Sequence, residues 1–182
     1  MKKISLPILL FSAFLLALSG TIASAEGTGG QSKSGKLLDK TEGPWKASCF
    51  VDASSPAPYC RIMVVHIFKM GNKGGAFAQF GPAFDRDATG FIVASYNGFK
   101  NESHITVGVD DNPPINMPAP LQANHIVAPA NIANKLIEQM STGKTITVSF
   151  KMSGRGHKEL KYPLQGFKAL KKEVTQVLAK KN

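Results

Sequence analysis

Histidine and carboxylate side chains are the groups in this chain best suited to metal binding or acid–base catalysis. The four histidines, His66, His104, His125 and His157, are far apart and form no H-x-H or H-x-x-x-H pair that could begin a metal site. The run Asp110-Asp111-Asn112 offers oxygen ligands for calcium but lacks the alternating ligands and distal glutamate of an EF-hand loop. No G-x-S-x-G nucleophile motif, P-loop or dinucleotide fingerprint occurs. We therefore expect no enzyme, no metal site and no cofactor.

Cys49 and Cys60 are the two cysteines of the chain. Whether they form a disulfide depends on the redox state of the cellular compartment in which the protein resides. A redox-active pair usually has C-x-x-C spacing at a helix start, whereas these residues are eleven positions apart. The segment Ser54-Ser55-Pro56-Ala57-Pro58 between them is typical of a turn. In an oxidising compartment this isolated pair indicates a disulfide across the base of a hairpin-like loop. A cysteine nucleophile is disfavoured because each thiol has a partner in the other.

The first 25 residues direct the rest of the chain to such a compartment. Two lysines precede an uncharged apolar run, Leu6 to Leu18, and Ala23-Ser24-Ala25 follows as a pattern that signal peptidase accepts. The run is too short to span a bilayer, so we expect residues 1–25 to be a cleaved signal peptide, with an uncleaved N-terminal anchor as the alternative. Residue 26 is Glu rather than Cys, which excludes a lipid-anchored signal. The predicted location is the periplasm, the outer membrane or the medium.

Hydrophobic periodicity divides the mature chain into a predicted flexible leader, 26–42, and a single domain, 43–182. Strands are predicted where apolar residues alternate or β-branched residues cluster, and the two histidines in them, His66 and His104, are expected to have structural hydrogen-bonded roles. The predicted strands are 45–51, 60–68, 76–80, 91–96, 104–109, 145–152 and 159–164. Residues 110–120 contain four prolines and are expected to form an extended connection rather than a central strand. This order predicts a mainly β protein, an antiparallel β-sandwich with one peripheral helix, 131–140, and an amphipathic C-terminal helix.

The C-terminal helix, 165–181, combines an apolar stripe with most of the lysines near the chain end. The stripe is expected to dock on a sheet, with Phe167 and Leu170 largely buried and Gly166 allowing close approach; a basic membrane-surface helix is the alternative. The formal charge of +10, or +8 without the signal, favours an anionic partner. The candidate contacts for an anionic surface are Lys168, Lys171, Lys172, Lys180 and Lys181.

Several motifs together resemble the invasion-associated locus B family, which comprises small secreted or periplasmic proteins of alphaproteobacteria. They are Trp45-x-x-x-Cys49, Cys60 at the head of a strand, Ile105 to Asp110 (ITVGVD) and the closing run Pro163 to Leu170 (PLQGFKAL). The resemblance covers about residues 43–178 and implies an exported β-sandwich involved in host-cell or envelope interaction. Members often carry a second cysteine pair before the first helix, and the matching stretch here, 122–134, has none.

Two classes of function follow from these observations. The first is a non-enzymatic envelope or secreted protein whose partner is an unidentified protein or an anionic component of the envelope or host surface. Nucleic acid is not expected as a partner, and membrane contact is expected to be peripheral at most. The alternative is a periplasmic ligand-binding protein or enzyme whose site the fold assembles from scattered residues such as His66, His104 and Asp110. A pocket where these side chains converge would favour the alternative.

Overall fold

A computed structural model describes residues 35–52, 55–69, 76–85, 88–96, 98–99, 104–118 and 124–180. The predicted signal peptide therefore lies outside the described residues. Ten strands and two helices follow one another in the described parts of the chain. The strands are β1 (Gly35–Glu42), β2 (Trp45–Asp52), β3 (Ser55–Phe68), β4 (Ala76–Phe84), β5 (Thr89–Ser95), β6 (His104–Val109), β7 (Ile115–Pro118), β8 (His125–Ala128), β9 (Thr145–Met152) and β10 (Gly156–Pro163). The helices are α1 (Ala130–Thr142) and α2 (Phe167–Ala179).

The strands form two antiparallel sheets, which confirms the predicted β-sandwich. The larger sheet has the order β1-β2-β3-β4-β5-β8, and the smaller sheet has the order β10-β9-β6-β7. Alternate residues of each strand point into the core, as in β9, where Ile146, Val148 and Phe150 are buried and the residues between them are not. The period-two pattern of the sequence therefore sets which face of each sheet packs inward.

Trp45 of β2 is fully buried and contacts residues of both sheets. Its indole Nε1 donates a hydrogen bond of 2.8 Å to the carbonyl oxygen of Pro163, the last residue of β10. The ring meets Phe80 and Phe167 edge-on, with centroids 6.1 Å and 5.3 Å away. One side chain thus joins β2 to β4, β10 and the first residue of α2.

The predicted disulfide is present between Cys49 of β2 and Cys60 of β3. The two residues are directly opposite in the antiparallel register, and both are fully buried. The strands that they join are the two arms of a hairpin, so the bond closes the base of the loop as predicted. Its position in the core also excludes these sulfur atoms from surface chemistry.

Both helices, like the smaller sheet, pack against the inner side of the larger sheet. Helix α2 contacts β1, β2 and β3, while α1 contacts β5 and β6. Phe167 and Leu170 are fully buried, which confirms the prediction that the apolar stripe docks on a sheet. Neither described helix has the length and hydrophobicity needed to cross a bilayer.

Gly166 permits the close approach of α2 to the larger sheet. Its φ of 87° is in the left-handed region that favours glycine. A Cβ atom at this position would lie 2.6 Å from the Cβ of Glu42 and 2.8 Å from its carbonyl oxygen. The predicted role of Gly166 is confirmed, since any side chain there would push the start of α2 away from β1.

The prediction of a flexible leader at 26–42 is wrong over its second half. Residues 35–42 form β1, which pairs with β2 along its whole length. Its side chains are mostly polar because it is an edge strand, and Leu38 is the residue that packs against the core. Backbone pairing rather than side-chain burial therefore orders this segment, and the fold begins before Trp45.

The proline-rich connection at 110–120 also contains a strand that the sequence did not predict. Ile115–Pro118 forms β7, which pairs with β6 at the edge of the smaller sheet. An edge strand tolerates proline because one side of its backbone needs no ladder partner. The expectation that this segment is extended and is not a central strand is confirmed, and the structure adds that these four residues pair as an edge strand.

Buried apolar side chains lie in the region where members of the similar family often have a second cysteine pair. Ile126 and Ala128 of β8 and Ala133 of α1 are buried in the core. The backbone N–H of Ala133 also donates to the carbonyl oxygen of Pro129, at 2.9 Å. Apolar burial and helix hydrogen bonding thus hold this segment with no disulfide among its described residues.

Replacing both cysteines in the variant C49A/C60A should lower the free energy of unfolding by about 3 kcal/mol, because the unfolded chain regains the entropy of an open eleven-residue loop. Urea denaturation measures the loss, and an unchanged far-UV circular dichroism spectrum would show that the fold persists. Free thiols at Cys49 and Cys60 in non-reducing peptide mapping would contradict the assignment.

Gly166→Ala should destabilise the protein by more than Gly154→Ala, which is the matched control. Both glycines have positive φ, but a Cβ at Gly154 would meet nothing within 4 Å. The control therefore measures only the backbone strain, about 1–2 kcal/mol, while Gly166→Ala adds about 1–3 kcal/mol of overpacking against Glu42. Equal losses in urea denaturation would show that the close approach of α2 and β1 is unimportant.

Candidate functional site

The structure does not bring together the three residues of the scattered-site hypothesis. His104 begins β6 and Asp110 follows the end of the same strand, so their Cα atoms are separated by about 20 Å. His66 lies on β3 in the other sheet. Within the described ranges no group of three or more His, Cys, Asp or Glu side chains is arranged to hold a metal ion. The described residues therefore carry no observation in favour of that hypothesis.

His66 is instead part of a half-buried contact between the two sheets. Its Nδ1 and the hydroxyl oxygen of Tyr162 share a hydrogen bond of 2.7 Å. The Phe68 ring packs edge-on to the imidazole at 4.5 Å, and the Phe80 ring packs against Tyr162 at 5.7 Å. Burial raises the pKa of Tyr162, so its hydroxyl stays protonated at neutral pH. The pair joins β3 to β10, which confirms the structural role predicted for His66.

Asp110 connects the end of β6 to the start of β9. Its carboxylate accepts hydrogen bonds from the backbone N–H groups of Lys144, at 2.9 Å, and Thr145, at 2.8 Å. Its own backbone has a φ of 48°, a left-handed conformation that aspartate tolerates better than most residues. Gly143 leaves room for this contact, because a Cβ there would lie 2.9 Å from a carboxylate oxygen of Asp110. The carboxylate is therefore engaged in the fold rather than free to bind calcium.

Three of the predicted anion-contact lysines, Lys168, Lys171 and Lys172, lie on α2, away from its buried stripe. Lys168 and Lys172 are exposed, and Lys171 is half-buried with its ammonium donating to the Ser141 hydroxyl of α1 at 3.0 Å. Together with Thr175 and Gln176 they line a shallow groove beside the end of α1, and we call these five residues the basic helix face. Lys180 is exposed at the end of α2, and Lys181 lies outside the described residues.

Ion pairs on β1 and β2 neutralise other lysines but not those of the basic helix face. Lys36 and Lys46 both contact Asp39, and these hydrogen bonds lower the pKa of that carboxyl to about 2. Within the described part of the chain, Lys168 and Lys172 have no carboxylate partner. Among the described residues, no carboxylate therefore neutralises the charge of Lys168 or Lys172.

Glu173, the one acidic residue of α2, points away from the basic helix face. The Lys40 ammonium of β1 donates to its carboxylate, and this hydrogen bond, together with the one that Lys40 makes to the Glu42 carboxylate, raises the pKa of the lysine. The pairing could not be inferred from the sequence, because Lys40 falls within the segment predicted to be a flexible leader. Its effect is to separate charge on α2, with carboxylate toward the sheet and ammonium groups toward solvent.

The start of α2 carries lysines, whereas helix N-termini usually carry acidic side chains. Helix N-termini carry partial positive charge, so carboxylates stabilise the first turns and lysines cost about 0.3–1 kcal/mol. No acidic residue lies in the first turn, no side chain caps it, and three lysines occupy its first two turns. The helix dipole and the ammonium groups therefore add to one positive potential.

Comparison with protein families gives one result that bears on this surface. The model of the family described as "Invasion associated locus B (IalB) protein" matches residues 45–174. The match begins at Trp45 and includes the disulfide, Asp110 and the first two turns of α2. No curated protein and no solved structure matches the chain. Since the family match covers most of the sequence, the chain belongs to the invasion associated locus B family.

Proposed function

We propose that this protein is an exported, non-enzymatic binding protein that contacts an anionic component of the bacterial envelope or host-cell surface through the basic helix face. Family membership and the disulfide support export, and the family description supports a role in invasion. The partner class follows from charge, since the formal net charge is +10 for the whole chain and +8 without the predicted signal peptide.

The observation that carries the proposal is the placement of Lys168, Lys171 and Lys172 in the first two turns of α2. Lys171 donates to Ser141 of α1, but Lys168 and Lys172 oppose the helix dipole and have no carboxylate partner among the described residues. When a sequence departs from a preference such as acidic residues at a helix N-terminus, and the fold gains no stability from the departure, the position most often lies at a functional site.

The proposed contact between α2 and its anionic partner is electrostatic and does not require the helix to insert into a membrane. The apolar stripe of α2 is committed to the core, with Phe167, Leu170 and Val174 buried. The outward side of the helix offers ammonium, hydroxyl and amide groups and the small side chain of Ala169. The alternative of a helix that inserts its apolar stripe into a membrane is thus incompatible with the folded domain.

Neutralising two lysines in the variant K168Q/K172Q should weaken binding to vesicles that contain anionic phospholipid by about 30-fold, since each lysine near such a surface contributes about 1 kcal/mol. Wild-type binding should also weaken between about 0.1 M and about 1 M NaCl, as the Debye length falls from about 10 Å to about 3 Å. Co-sedimentation with vesicles measures both effects, and heparin tests the same chemistry in a polymer.

The matched control is K151Q/K161Q, which removes the same charge from the outer side of the smaller sheet. Both control lysines are exposed on β9 and β10. Equal weakening by the two variants would show that net charge, rather than the basic helix face, determines binding. Wild-type binding that is absent at low salt or insensitive to salt would contradict the proposal.

A further inference from the structure

The groove at the basic helix face follows α2 beside the end of α1, and its volume is about 880 Å³. Ser141, Gly166 and Ala169 complete its lining together with the five residues of the basic helix face. Gly166 has no side chain and Ala169 has a single methyl group, so the longer lysine and glutamine side chains extend beyond these two positions. A partner that lies in the groove can therefore approach the helix between its charged side chains.

Lys171 is recessed in this groove. Its side chain is half-buried, and its ammonium group donates to the Ser141 hydroxyl at 3.0 Å, which holds it against α1. Lys168 and Lys172 are exposed on the outward side of the helix. A flat bilayer surface reaches the two exposed lysines, whereas contact with all three requires a partner narrow enough to enter the groove. The geometry therefore favours a polymer chain over a lipid surface.

The three ammonium groups are concentrated in a short length of helix. Residues 168–172 span about 6 Å along the axis of α2, at a rise of about 1.5 Å per residue. A partner that pairs with all three must place several negative charges within one short segment. A polysaccharide with several sulfate groups on neighbouring sugars meets this requirement. A chain that carries one carboxylate on each sugar unit has too low a charge density to do so.

Uncharged hydrogen-bonding groups follow the lysines along the same groove. Thr175 and Gln176 lie one turn beyond Lys172. The Thr175 hydroxyl donates to the Lys171 carbonyl oxygen at 2.9 Å, and its lone pairs can still accept from a ligand. The Gln176 amide both donates and accepts, which matches the hydroxyl groups of a sugar. The groove thus combines a site for sulfate groups with a site for sugar hydroxyl groups.

Glu173, which follows Lys172 in the sequence, is kept out of the groove. Its carboxylate accepts a hydrogen bond from Lys40 of β1, on another side of the helix. None of the described residues that line the groove is acidic. An anionic polymer that approaches the groove therefore meets ammonium groups without a lining carboxylate to repel it, so the charge of the groove is complementary to that of the polymer.

We propose that the basic helix face binds a sulfated polysaccharide chain, which lies in the groove along α2. This inference rests on the proposed function and specifies the chemistry of its anionic partner. Sulfate groups contact the ammonium groups of Lys168, Lys171 and Lys172, and sugar hydroxyl groups contact Thr175 and Gln176. From Lys168 to Gln176 the contact extends about 12 Å along the helix, so a short oligosaccharide is enough to occupy it.

Size-defined heparin oligosaccharides, which carry sulfate groups, are the probe for this inference. Isothermal titration calorimetry measures their affinity for protein produced from the full-length chain. The wild type should bind them. Oligogalacturonate of the same length, which carries carboxylate groups alone, should bind about fivefold more weakly, because it engages at least one lysine fewer. Equal affinity for the two probes would overturn the inference that the groove selects a sulfated chain.

Ala169→Trp separates binding in the groove from attraction to a charged surface, because it fills the groove without changing the charge. Affinity for heparin oligosaccharides should fall at least about tenfold. Binding to vesicles that contain phosphatidylglycerol should not fall, since tryptophan is favourable at a membrane interface. Ala130→Trp, at an exposed alanine of α1 outside the groove, is the matched control and should leave oligosaccharide binding unchanged.

Gln176→Ala tests the contact with sugar hydroxyl groups, again without a change of charge. It should weaken oligosaccharide binding about two- to tenfold, as expected for the loss of one hydrogen bond, while Gln165→Ala, at an exposed glutamine outside the groove, should have no effect. Thermal melting shows whether each variant is folded. Oligosaccharide binding that neither Ala169→Trp nor Gln176→Ala weakens would overturn this inference and leave the proposed function intact. A wild type that binds neither vesicles nor heparin would contradict both.

Discussion

The contact of Trp45 with Pro163, Phe80 and Phe167 is the interaction on which the remaining structure depends. Its indole is fully buried, and its N–H donates a hydrogen bond to the last residue of β10. The indole ring also packs edge-on with aromatic side chains from β4 and α2. The end of β10 and the start of α2 are separated by three residues, so one contact fixes both the angle between the sheets and the origin of the helix. Because Phe167 and Leu170 on one side of α2 are buried, Lys168 and Lys172 on the other side face solvent.

Several of the side chains that the sequence offers for catalysis or metal binding are instead engaged in holding the fold together. His66 is engaged with Tyr162 between the sheets, Asp110 holds the backbone at the start of β9, and the two cysteines are joined inside the core. The exposed ammonium groups of the basic helix face are, in contrast, free to contact a partner in solvent.

The sequence predicted the elements whose side-chain pattern is set by burial and missed those set by backbone pairing. Strands such as β6 and β9 alternate clearly and were predicted with their observed bounds, and the disulfide followed from local spacing. β1, β7 and β8 are edge strands, and the ladder that orders them leaves little trace in composition. The lysines of α2 were predicted, but their separation from Glu173 depends on Lys40, 133 residues away. The exposure of Val65 and Ile67 on the outer side of β3 was not predicted, because the apolar run of β3 indicates burial without showing which face is covered.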